Sequence, residues 1–185
     1  MELLTEEAFR ARLDERGILR PGALAEPARD RAYAVFAQTP DLRLDVEGLK
    51  QKASQFFQTK LGLTVDKRYG DPGPSADAAR FVIASDDATA SGTRLCYGRA
   101  ADGSDRAAAE AAERAIGTFG LALLAQRCKT IWFIATEAED DRVALTLAAI
   151  LASAFLGPII SPGGQEILGV RSARLKLEGR ASPYR

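Results

Sequence analysis

Residues 130–160 read Thr-Ile-Trp-Phe-Ile-Ala-Thr-Glu-Ala-Glu-Asp-Asp-Arg-Val-Ala-Leu-Thr-Leu-Ala-Ala-Ile-Leu-Ala-Ser-Ala-Phe-Leu-Gly-Pro-Ile-Ile. The opening run, Thr130–Ala135, is continuously apolar and too short for a helix, the signature of a strand buried on both faces. Four acids follow it, Glu137, Glu139, Asp140 and Asp141. Val143–Ile160 then carries no charge over 18 residues, the lower limit for a membrane-spanning helix. Gly157-Pro158 breaks that run after about 14 residues, and a second Ala-rich helix precedes it as a partner. The segment is therefore expected to be a buried central or interface helix.

Outward from this unit, Arg80–Ser85 and Thr93–Tyr97 are strand-like and joined by the polar loop Asp86–Gly92. Asp105–Gln126 reads as one long Ala-rich helix. At the end, Glu166–Val170 and Ala173–Glu178 alternate apolar and charged residues, as a half-exposed antiparallel strand does. Before residue 70 the patterns are helical. Thr5 caps a segment over Glu6–Arg16, and Glu26-Pro27 starts a second helix with Tyr33, Phe36 and Ala37 on one face. Asp45 caps a third, with Val46, Leu49, Ala53, Phe56 and Phe57 as its apolar stripe and Gly62 as its stop. Leu63–Tyr69 alternates weakly as a strand.

The Pro/Gly-rich stretch at 71–77 is the one linker-like segment. It divides the chain into an N-terminal helical arm, 1–70, expected to pack on its own body, and an α/β body, 78–185. The fold class is α/β bordering α+β: a mixed β-sheet flanked by Ala-rich helices. Phe56, if enclosed beneath the arm, would cost about 3–5 kcal/mol on truncation to Ala.

Composition limits function. The chain has 185 residues, 46% hydrophobic and 27% charged, enough for one core without staples. Lys+Arg and Asp+Glu are each 25, evenly distributed, so no basic surface for nucleic acid is expected. His is 0, which excludes Ser-His-Asp and Cys-His catalysis and His-ligated metals. Cys96 and Cys128 are too few for a disulfide framework, and no basic and apolar leader opens the chain, so a reduced cytoplasm is expected. The bias to Arg over Lys and to Ala suggests a GC-rich bacterial source.

Three places have the residue types for chemistry. Asp86 and Asp87 follow one strand, and Glu137 and Asp140 another; if they converge they can hold Mg²⁺ or Mn²⁺. Turn and capping chemistry accounts for the same acids. Gly98–Asp105 superficially has phosphate-loop spacing, with Arg99, Gly103 and Ser104 as its candidates, although Asp105 would repel a phosphate. Cys128 lies between Arg127 and Lys129, charges that favour a thiolate, with no His to act as base.

The balance of these readings is a non-enzymatic protein-interaction or self-associating module that needs no cofactor. A homodimer through Val143–Leu156 or Asp105–Gln126 is expected, with neither nucleic acid nor membrane as partner. The alternative is a divalent-metal-dependent enzyme or binding protein for a phosphorylated or nucleotide ligand.

Overall fold

The apolar run of residues 130–135 is the centre of a seven-stranded sheet. The computed structural model describes residues 11, 26–65, 78–138 and 140–179. The strands are β1 (Ala32–Ala37), β2 (Thr59–Val65), β3 (Ala78–Ser85), β4 (Gly92–Ala100), β5 (Thr130–Ala135), β6 (Ile159–Ile160) and β7 (Ile167–Leu168). The helices are α1 (Val46–Phe57), α2 (Gly103–Ile116), α3 (Leu121–Arg127), α4 (Arg142–Phe155) and α5 (Val170–Leu177). Strand order is β2-β3-β4-β5-β1-β6-β7, and every registered pairing is antiparallel. The class is α/β, and the uniformly antiparallel sheet sets it at the α+β border.

Helices cover both faces. Tyr33, Val35, Trp132 and Ile134 face α4, with α1 and α5 closing that layer through Leu49, Ala53 and Ala173. Ala34, Phe36, Ile131 and Phe133 face α2 and α3 through Ala109, Ala112, Ala122 and Ala125. Small alanines let these helices approach the sheet closely, so β5 is enclosed from both sides. In α4 every residue from Val143 to Ala152 is buried within one chain, which is why the segment lacks charge. Among the described residues no helix is long and apolar enough to cross a membrane. Within Val143–Leu156 only Ser153, Ala154 and Leu156, at its end, are not fully buried.

Several elements differ from their sequence reading. Residues 32–37, expected on a helix, form β1, buried at every position between β5 and β6. Tyr33, Phe36 and Ala37 do share a helical spacing, but a six-residue apolar run satisfies either period, and two waiting strand edges decide it. This strand ties the first part of the chain into the same sheet as the rest. The expected helix over 6–16 and the joint at 71–77 lie outside the described residues, apart from Ala11.

Asp45 caps α1 as expected, accepting a hydrogen bond from Gly48 N–H at 3.0 Å. The helix stops at Gln58, in the left-handed conformation (φ 51°), and Gly62 instead lies in β2. Its buried face is Leu49 and Ala53, with Phe57 partly buried; Phe56 is 48% exposed, under Lys52. The enclosure assumed for Phe56 is therefore absent.

The long helix expected over 105–126 is two. Gly117 (φ 73°) and Gly120 (φ 104°) both take conformations that L side chains resist, and they turn the chain between α2 and α3. At the other end, 170–177 is helical rather than a strand. Val170, Ala173 and Leu177, spaced i, i+3 and i+7, are the residues that reach the core, and Ser172 Oγ accepts from Gly169 N–H at 2.9 Å to fix the first turn.

Candidate functional site

Antiparallel pairing brings the start of β1 beside the end of β5, with Ala32 opposite Ala135. The turn between β6 and β7 closes on the same end of the sheet. Together they wall an open cleft of about 550 Å³, within the size range of small-molecule sites. Asp30, Glu137, Asp140 and Glu166 bring carboxylates to it, and Arg31 and Lys176 bring positive charge.

The turn that carries Glu137 and Asp140 is held by a buried ion pair. Arg94, projecting from β4, donates through Nε and Nη2 to the two oxygens of Asp141, each at 2.9 Å. Asp141 also caps α4 by accepting from Ala144 N–H, and fixes the turn by accepting from Glu137 N–H, both at 2.9 Å. Arg94 reaches the carboxylate of Glu137 at 3.1 Å as well. The acids after β5 thus divide: Asp141 is structural and Glu137 half-committed. Asp140 and Asp30 line the cleft with no ion pair among the described residues.

Tyr33 stands at the back. Its residue is 4% exposed, yet its side chain lines the cleft, and its hydroxyl has no hydrogen-bond partner among the described residues. Burial, followed by the carboxylates of Glu166, Asp141 and Asp140, pushes the phenol up to about 12, so it stays protonated at neutral pH. Periodicity could not have flagged it, because Tyr33 reads as an ordinary core residue of either element.

The expected acidic clusters do not meet. Asp87 caps the short turn Ala88–Ala90, accepting from Thr89 N–H and Oγ1 at 2.9 and 2.7 Å, bonds that hold its carboxyl below the usual range. It lines a separate groove with Arg142 and Arg174, while Glu137 and Asp140 line the cleft. Asp86 is exposed in the same loop. Among the described residues no group of three or more acidic or Cys side chains can hold a metal ion.

The loop carrying Arg99, Gly103 and Ser104 is satisfied from within. Asp102 caps α2, and its carboxylate takes the N–H groups of Ser104 and Asp105 at 2.8 and 3.0 Å. Those are the amides a phosphate would need. Asp105, fully buried, is clamped by Arg99 at 2.7 Å and Arg29 at 2.6 Å, and Arg99 also pairs with Glu26 at 2.7 Å. Carboxylates on two sides raise the Arg99 guanidinium further above its usual range. Around Gly103 nothing lies within 4 Å of where a Cβ would sit, so no close backbone approach requires glycine there.

Cys128 is buried and its thiol donates to Leu124 O at 3.4 Å. Burial pushes it up to about 11, against a smaller opposite pull from Arg106, so the thiolate favoured by sequence neighbours is disfavoured by the fold. Cys96 is likewise buried and raised.

These features define a three-layer α/β protein with one open, carboxylate-rich cleft at a sheet end. The chain matches no family model, no curated protein and no solved structure.

Proposed function

We propose that the protein is a self-associating interaction module whose contact surface is the corner between α2 and α3. The observation that carries this reading is an exposed apolar cluster there. Phe119, in the turn, is 94% exposed, and Ile116 at the end of α2 and Leu123 in α3 are also exposed. It falls within Asp105–Gln126, one of the two segments expected to form a dimer. Large apolar side chains scattered singly need no explanation, but three within eight residues around one helix–helix corner support a contact surface.

A second copy is the occupant that the charges favour. Glu110 and Arg114 of the same helix form only a loose, exposed pair at 4.0 Å, so each is free to meet the opposite charge of a two-fold partner. The chain's zero net charge adds no long-range repulsion. Burying three such side chains gains about 5–9 kcal/mol gross. Association itself costs about 4–15 kcal/mol, so the dimer is weak and concentration-dependent.

Sedimentation equilibrium across a concentration series to about 1 mM tests it, a range that captures weak complexes. The 19.8 kDa chain is expected to approach twice its mass, and Phe119→Asp to stay monomeric. A wild-type chain that remains monomeric throughout overturns the proposal.

A further inference from the structure

We propose that the cleft at the β1–β5 sheet end binds a small organic cation, an aliphatic ligand bearing a protonated amine, with Tyr33 Oη and the carboxylates of Asp30, Asp140 and Glu166 as its recognition groups. This site is independent of the self-association surface and lies on different elements.

The first support is an unspent polar group. A phenol whose ring is buried ordinarily finds a protein partner for its polar end. Tyr33 is only 4% exposed and lines the cleft, where its hydroxyl has no protein partner among the described residues and is open to a ligand. Its oxygen can accept from an ammonium N–H while its proton turns to a carboxylate. The charged groups acting on it are all carboxylates: Glu166, Asp141 and Asp140.

The second support is the balance of charge. Four carboxylates line the cleft against Arg31 and Lys176. Lys176 is held by Glu166 at 2.5 Å, and Glu137 by Arg94 at 3.1 Å, which leaves Asp30 and Asp140, neither in an ion pair among the described residues, against Arg31 alone. A negative cleft walled by protein concentrates cations.

Shape distinguishes an organic cation from a metal ion. The carboxylates line a volume of about 550 Å³ instead of converging on one point, and no three of them are placed to coordinate a metal. An ammonium group tolerates spread-out acceptors because each of its N–H bonds seeks a separate one. A divalent cation needs several oxygens at one centre.

Isothermal titration of the full chain with 1,4-diaminobutane tests the proposal, with 1,4-butanediol and NaCl of matched ionic strength as controls. The diamine is expected to bind saturably with 1:1 stoichiometry, and neither control to do so. Tyr33→Phe keeps the ring and removes only the hydroxyl, and Asp140→Asn removes one exposed charge. Each is expected to weaken binding about 2- to 10-fold, the range of one lost hydrogen bond or partly exposed charge. Asp86→Asn, outside the cleft, leaves affinity unchanged. Circular dichroism confirms that each variant is folded. Absence of saturable diamine binding to the wild type, or affinity unchanged in both cleft variants, overturns the proposal.

Discussion

Arg94→Met breaks the buried ion pair that holds the turn after β5. The side chains involved are 9% and 2% exposed, and the fork from Arg94 to Asp141 supplies two of the four donors around that carboxylate. Removing the guanidinium leaves Asp141 charged, enclosed, and held only by the N–H groups of Glu137 and Ala144. Such uncompensated burial costs about 3–5 kcal/mol. For a chain of this size each kcal/mol lowers Tm by about 2–4 °C, so a fall of roughly 6–20 °C is expected. Urea unfolding followed by the fluorescence of Trp132, the one tryptophan and fully buried, measures the change directly. The stronger test is non-additivity. Asp141→Asn retains an oxygen to cap α4 but removes the charge, so the double variant Arg94→Met/Asp141→Asn is expected to be more stable than Arg94→Met alone. A loss below about 1 kcal/mol for Arg94→Met, or strictly additive losses in the cycle, would refute the assignment of an energetically coupled buried pair.

Gly157→Ala is expected to destabilise by about 1–3 kcal/mol or more, because its Cβ would collide with the backbone carbonyl of Phe36; wild-type stability in the same urea assay contradicts that. Phe56→Ala should cost under about 1 kcal/mol, and Leu49→Ala about 2–5 kcal/mol, reversing the order that residue size suggests. Cys128 should resist iodoacetamide at pH 8 in the folded chain and react promptly in urea, since burial holds the thiol protonated; rapid native-state labelling read by mass spectrometry would contradict this. The same group sets an alkaline limit. Its folded pKa, about 11, lies above its ordinary value of 9.0, so its contribution is fully present below pH 9 and is lost as pH rises towards 11. Tyr33 acts in the same direction between pH 10 and about 12, which absorbance at 295 nm resolves as a late-titrating tyrosine.

The elements legible in the sequence were those whose local and global requirements coincide. Ile131–Ala135 is continuously apolar because both faces of the strand are covered. Residues 142–155 carry an Asp cap, a run of strong helix formers and a Gly-Pro stop, so their helix could be placed from pattern alone. Asp45 announced α1 in the same way. Absence of His and even charge also followed from composition alone, and they narrowed the chemistry before any coordinate was known.

Tertiary structure decided the rest. The six residues Ala32–Ala37 have no intrinsic commitment; the edges of β5 and β6 recruit them as a strand. Neighbours in space also reversed the chemistry of neighbours in sequence. Cys128 sits between two cations in the chain, yet its enclosure raises the thiol. Arg99 stood in a loop with anion-site spacing that Asp105 argued against, and folding turns the two on each other and on Glu26 and Arg29, 73 and 76 residues away. Asp141 stood in an acidic run as one of four, and only the arrival of Arg94 across the sheet separates it from Asp140. The cleft is assembled from the start of β1, the turn after β5 and the turn after β6, segments more than 100 residues apart in part. A linear sequence fixes local periodicity and capping; desolvation and charge pairing depend on what the fold brings together.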